Sequence, residues 1–150
     1  MENKVTLAND DPRLVEALIR YCYGLGYGNR FIHGTDQASM LWDLRVCVIA
    51  DKYLAASLMQ TAWEVFSVRS EFRWDSPEFV EAVAEVYATT IEGSALRKSI
   101  VRTVCNHTSL LDGNRSNTAF LKVLRETPDF GVDILIAMHT KSPRRDIPRK

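Results

Sequence analysis

The chain has 150 residues, the size of one ordinary domain, and its 46% hydrophobic and 25% charged content excludes a disordered polymer. Nineteen basic and nineteen acidic residues cancel, so no overall field draws it to phosphate backbones or anionic lipid. Three separated cysteines, Cys22, Cys47 and Cys105, form no CxxC pair, which argues against a disulfide framework or a structural zinc site and for a reducing, intracellular setting, cytoplasmic or nuclear.

The opening residues, Met1 to Asp11, carry acidic and amide groups instead of a basic stretch leading into an apolar run, so no signal peptide is read there. Lys4 to Leu7 is the one expected strand, because Val5, Thr6 and Leu7 favour extended backbone and Asn9-Asp10-Asp11 then breaks the pattern. Asp11-Pro12 opens a helix whose apolar positions are Leu14, Val15, Leu18, Ile19 and Cys22. Gly24, Gly26, Gly28 and Gly34 mark an irregular connection. From Ser39, the positions Met40, Leu41, Leu44, Cys47 and Val48 predict an amphipathic helix to about Tyr53. Leu54, Leu58, Ala62, Val65, Phe66 and Arg69 predict another, broken from the preceding helix near Leu54 to Ser57.

The second half repeats a small polar cap followed by proline and an acid, in Ser76-Pro77-Glu78 and Thr127-Pro128-Asp129. Both are helix starts, since the hydroxyl accepts from a free amide and the carboxylate faces the positive end of the helix dipole. Phe79, Val83, Val86 and Tyr87 follow the first, and Phe130, Ile134, Leu135 and Met138 the second. Between them lie a helix capped by Ser94 with Leu96, Ile100, Val101 and Val104, and a short segment with Phe120, Leu121 and Leu124. Apolar runs such as Ile134 to Met138 are far shorter than the roughly 20 residues that span a bilayer, so no membrane segment is expected. The tail from Ser142 to Lys150, with two prolines and mostly charge, reads as disordered. The expected fold is mainly α, a bundle of six or seven helices with at most one short β-strand near the amino terminus.

Ala50-Asp51-Lys52-Tyr53, preceded by Leu44 to Ile49 and followed by Leu58, Ala62 and Phe66, resembles the fungal branch of the BTB/POZ family, where a helix ending in that tetrapeptide leads into the domain's last helix. Val5-Thr6-Leu7, Asp10-Asp11-Pro12 and Leu18 to Tyr23 are similar to the family's final core strand, acidic turn and following helix. Trp74-Asp75-Ser76-Pro77-Glu78-Phe79, Val86-Tyr87 and Ala95-Leu96-Arg97 resemble the helical extension that fungal members often carry. The likeness spans most of residues 5 to 138. It departs at Gly24-Leu25-Gly26-Tyr27, where the family usually has Thr-Gly-Asp-Tyr. Family members also begin with a helix and a three-stranded sheet that nothing before Met1 supplies. The resemblance therefore implies a partial BTB/POZ-like domain over 1–72, a helical extension packed with it over 73–140, and a disordered tail over 141–150. The motif through which some members recruit a cullin-type ubiquitin ligase would fall before Met1, so cullin recruitment is not carried over.

Chemistry-bearing residues do not converge. His33, His107 and His139 are scattered, with no HExxH, and the cysteines lie on or beside apolar stripes, where a thiol behaves as a small hydrophobe. The Gly24 to Gly28 run has no preceding strand and no Gly-Lys-Ser/Thr, and so is no phosphate loop. Asn106-His107-Thr108 and Asn114-Arg115-Ser116 match the glycosylation triplet but need a secretory route. Asp51 and Lys52 read as solvated helix-end charges with Tyr53 packed inward, with a functional charged pair between them as the alternative. Trp42, Trp63 and Trp74 are candidates for recognition, although aromatics at helical spacing are more often core. The basic tail, Arg144, Arg145, Arg149 and Lys150, reads as a solubilising end, with a nuclear address or nucleic-acid contact as the sharper alternative.

No catalytic, cofactor-binding or metal-ligating residue and no cofactor is assigned. The function expected is non-catalytic protein–protein interaction, with another protein or a second copy covering apolar surface that the absent half-domain leaves bare. The alternatives are a truncated or mispredicted fragment with little function of its own, and a small helical regulatory protein touching nucleic acid through its tail.

Overall fold

A computed structural model describes residues 9–27, 39–112 and 118–141. Among them are seven α-helices and no strand: α1 Pro12–Cys22, α2 Met40–Lys52, α3 Ala56–Phe72, α4 Pro77–Thr89, α5 Ala95–Asn106, α6 Thr118–Glu126 and α7 Pro128–Lys141. A 3-10 turn, Thr108–Leu111, links α5 towards α6. The mainly helical class and the helix count expected from periodicity hold. The strand expected at Lys4 to Leu7, Gly28, Gly34 and the tail after Lys141 lie outside the described residues.

Helix starts follow from short polar side chains that accept otherwise unbonded amide hydrogens. The Asp11 carboxylate accepts from the Arg13 amide at 2.9 Å, Ser39 Oγ from Trp42 at 3.3 Å, Ser76 Oγ from Phe79 at 3.2 Å and Ser94 Oγ from Arg97 at 3.3 Å. Pro12, Pro77 and Pro128 each open a helix where a missing amide hydrogen costs nothing.

Two helix ends share one device. At the end of α1, Gly24 takes a left-handed conformation (φ 74°), its amide donates to Tyr21 O at 2.9 Å and the Leu25 amide to Arg20 O at 3.0 Å. At the end of α2 the same paired bonds run from Leu54 to Asp51 O at 3.1 Å and from Ala55 to Ala50 O at 2.8 Å, but the left-handed residue is Leu54, at φ 57°. A side chain there costs about 1–2 kcal/mol relative to glycine. This turn is the break expected between Leu54 and Ser57.

The chain divides into two compact units, residues 1–66 and 67–150, at a point inside α3. The sequence places its boundary at the end of that helix, after Phe72. In the first unit α1 packs on α2. Helix α2 is buried over most of its circumference, with Met40, Leu44, Val46, Cys47, Ile49 and Ala50 all inside, together with Asp43, whose carboxylate accepts from Tyr27 Oη at 3.2 Å. The one-faced stripe expected there is therefore too narrow. A helix with apolar residues on every side is a core helix.

The second unit is built around α5, which packs on α4, α7 and the 3-10 turn, while α6 packs on α4, α7 and the same turn. An aromatic chain runs through it. Phe79 and Phe120 stack at 6.5 Å, Phe120 meets Phe130 edge-on at 5.8 Å, and Phe130 meets Tyr87 at 5.1 Å between ring centroids. No helix of the described residues is long and apolar enough to cross a membrane.

Candidate functional site

In the first unit the region of interest is α1 and the turn after it. The apolar positions Leu14, Val15 and Leu18 are only partly covered, and Ala17 is the helix's buried residue. Ile19 is 50% exposed, and beyond it Tyr23 is 79% and Leu25 63% exposed. The entrance to this helix is held by Asp10, whose carboxylate accepts from Lys52 Nζ at 2.7 Å and Tyr53 Oη at 2.6 Å. Lys52 and Tyr53 thus engage the acidic turn ahead of α1. Lys52 pairs with Asp10, not with Asp51, because neighbours on a helix do not face each other. The bonds from Lys52 and then Tyr53 hold the Asp10 carboxyl below its usual 3.8.

The second unit contains a polar seam that sequence spacing did not reveal. Ser67 and Ser99 hydroxyls lie 2.7 Å apart, Ser70 and Thr103 hydroxyls 3.3 Å apart, and all four residues are buried. The seam ends at Glu71, which accepts from Thr103 Oγ1 at 3.2 Å and Asn106 Nδ2 at 3.0 Å. His107 Nε2 sits 3.2 Å from the same carboxylate, and its ring stacks on Trp74 at 4.5 Å. Burial pushes the Glu71 carboxyl up, but hydrogen bonds from Asn106 and Thr103 and the nearby His107 outweigh it and leave the group below its usual 4.5.

A glutamate orienting a histidine is half of a general-base arrangement, yet among the described residues no hydrogen bond joins a nucleophile to the histidine. The bonds to Glu71 come from Thr103, Asn106 and His107, and none brings a serine or cysteine to the other ring nitrogen of His107. As the residue ending α5, His107 donates its amide to Thr103 O and Val104 O, so the cluster fastens the end of that helix to the end of α3. Serines and threonines on helix stripes separated by more than thirty positions carry no local signal of pairing.

Both depressed carboxyls make stability depend on acid. Their contribution is present above the unfolded values of 3.8 and 4.5 and is lost as pH falls through the lower folded values. The melting temperature is expected to hold from neutrality to about pH 5 and to drop below about pH 4. Asp10→Asn combined with Glu71→Gln should lower it at pH 7 and flatten the acid decline. A decline parallel to that of the parent would show that these carboxyls are not responsible.

The remaining candidates are dispersed. Cys22 is exposed, Cys47 buried and Cys105 partly covered. Burial, and then the charge of Asp51, push the Cys47 thiol up to about 11, which disfavours the thiolate a nucleophile requires. Trp42, Trp63 and Trp74 are all partly covered, and His139 is exposed near the end of α7. Asn106 of the first glycosylation triplet is engaged, donating to Glu71 and accepting from Lys141 at 3.2 Å. His33, Asn114 and the basic tail lie outside the described residues. Among the described residues no group of three or more His, Cys, Asp or Glu side chains is placed to hold a metal ion. Compared with family models, curated proteins and solved structures, the chain matches none.

Proposed function

We propose that the chain is a non-catalytic protein-interaction module of BTB/POZ-like character, whose α1 face and following turn bind a second copy or another protein. The observation that carries this reading is the apolar surface of α1. The eleven-residue helix has one buried side chain and leaves Ile19 in contact with water, and the turn after it leaves Tyr23 and Leu25 exposed as well. Large apolar groups grouped in this way gain free energy when a partner removes them from solvent, and tyrosine is a common interface anchor. The likeness of Ala50-Asp51-Lys52-Tyr53 to the family motif supports the same reading, since Lys52 and Tyr53 fasten the turn that aims α1.

Size-exclusion chromatography with light scattering tests it across a concentration series. Self-association is expected to weaken about thirtyfold or more in Ile19→Glu with Tyr23→Glu, because interface anchors of this kind are worth about a kilocalorie or more each and each 1.4 kcal/mol is tenfold. Both side chains are half or more exposed, so the substitutions leave the helix packing alone. If the parent instead stays a dispersed monomer at every concentration and binds no hydrophobic dye, the reading fails.

A further inference from the structure

Helices α5 and α7 enclose a groove of about 400 Å³ in the second unit, a surface different from the α1 face. Its floor is apolar, from Val101, Ile136 and Ala137, and Ile136 remains 58% exposed. Its charged lining is unequal, with Arg97, Lys98, Arg102 and Lys141 against Glu92 and Asp133.

Not all of these charges are available. Arg97 donates to the Thr90 and Tyr87 carbonyl oxygens, Asp133 accepts from Tyr87 Oη at 2.7 Å, and Lys141 donates to Asn106. Lys98 and Arg102 are exposed and have no side-chain hydrogen bond or ion pair among the described residues. They stand one helical turn apart on α5, beside the floor residue Val101. In a chain with no net charge this is a local excess of unpaired cations along an apolar slot.

From this juxtaposition we infer that the α5–α7 groove binds an acidic, amphipathic segment of a partner protein, whose apolar side chains enter the slot while its carboxylates meet Lys98 and Arg102. The volume lies at the small end of ligand clefts, roughly 300–1,000 Å³, and suits the anchoring side chains of a peptide. Charge complementarity at the rim sets the preference for an acidic partner and speeds its encounter. A nucleic acid fits less well. Two carboxylates and an apolar floor face the groove, and no aromatic ring lines it for bases to stack on.

The test is an amide-resolved NMR titration of the full chain with three probes: a short peptide of leucine and glutamate at helical spacing, the same peptide with lysine for glutamate, and a single-stranded DNA oligonucleotide. The leucine–glutamate peptide should saturate and shift the amides of Arg102, Val101 and Ala137, and the lysine peptide should not bind. Lys98→Glu with Arg102→Glu should weaken the acidic peptide about tenfold or more, as expected for reversal of two rim charges. Ile136→Asp should do the same through the floor. All three positions are solvent-exposed, and an unchanged helical spectrum verifies the fold. Equal binding of both peptides, preference for the oligonucleotide, shifts confined to other surfaces, insensitivity to these substitutions, or no binding by a folded chain overturns the inference. The α1 substitutions are read by assembly mass and these by peptide affinity, so either surface can fail without the other.

Discussion

Phe130→Ala is expected to destabilise the second unit by about 3–5 kcal/mol, the range for truncating a fully buried phenylalanine. Phe130 has no exposed surface and stands in the middle of the aromatic chain, edge-on to Phe120 and tilted against Tyr87. Its removal forfeits the transfer free energy of the ring, leaves a cavity between α4, α6 and α7, and breaks two ring pairs worth about 0.5–1.5 kcal/mol each. Phe130→Leu keeps most of the volume and should cost less than half as much. Native-state hydrogen exchange of the α5 and α7 amides measures this within the second unit, without assuming that the whole chain unfolds in one step. Protection factors unchanged by the alanine would mean that Phe130 is not a core residue.

The aromatic chain was legible in outline, because Phe79 and Phe130 sit on apolar stripes whose phase the proline starts define, and Phe120 falls in a short apolar segment between them. Caps are local chemistry, with donor and acceptor two or three residues apart, which is why Asp11, Ser76 and Ser94 could be read directly. Burial of polar residues is not local. On α5 the stripe Leu96, Ile100, Val101 and Val104 was recognised, but Arg97, Ser99 and Thr103 are equally inside. They are tolerated there because α3 offers Ser67, Ser70 and Glu71, and the end of α4 offers its carbonyl oxygens. Those partners become neighbours only when the helices pair. Helix α2 shows the complementary limit: Val46, Ile49 and Ala50 fall off the expected stripe, yet are buried because that helix is covered on more than one side. The two proposed surfaces divide in the same way. The α1 stripe is a property of one helix, whereas the α5–α7 groove depends on which faces two distant helices present to each other.

Arg97 gives the second large effect, and it shows how a cation is kept inside without a carboxylate of its own. The residue is only 8% exposed, and its guanidinium donates to Thr90 O at 2.6 Å, to Tyr87 O at 3.4 Å and to Thr90 Oγ1 at 3.3 Å. These carbonyls belong to the end of α4, where no later amide remains to bond them and where the helix dipole places partial negative charge. The same guanidinium lies over the Tyr87 ring, 4.4 Å from its centroid. Burial, and then the bond to Asp133 and its charge, push the Tyr87 hydroxyl up, so the ring beneath Arg97 stays a neutral phenol that donates to Asp133. Arg97→Met preserves the aliphatic stem but leaves the carbonyls unbonded, and is expected to cost about 2–3 kcal/mol, as for hydrogen bonds to a charged group. Arg97→Lys should recover only part of this, because an ammonium cannot reproduce the planar fork that reaches both Thr90 and Tyr87. Urea denaturation followed by the helical signal, with hydrogen exchange at Thr90 and the first turn of α5 to localise the loss, measures the order of the three proteins. If methionine proves as stable as arginine, the α4 end is satisfied by water and Arg97 does not hold it.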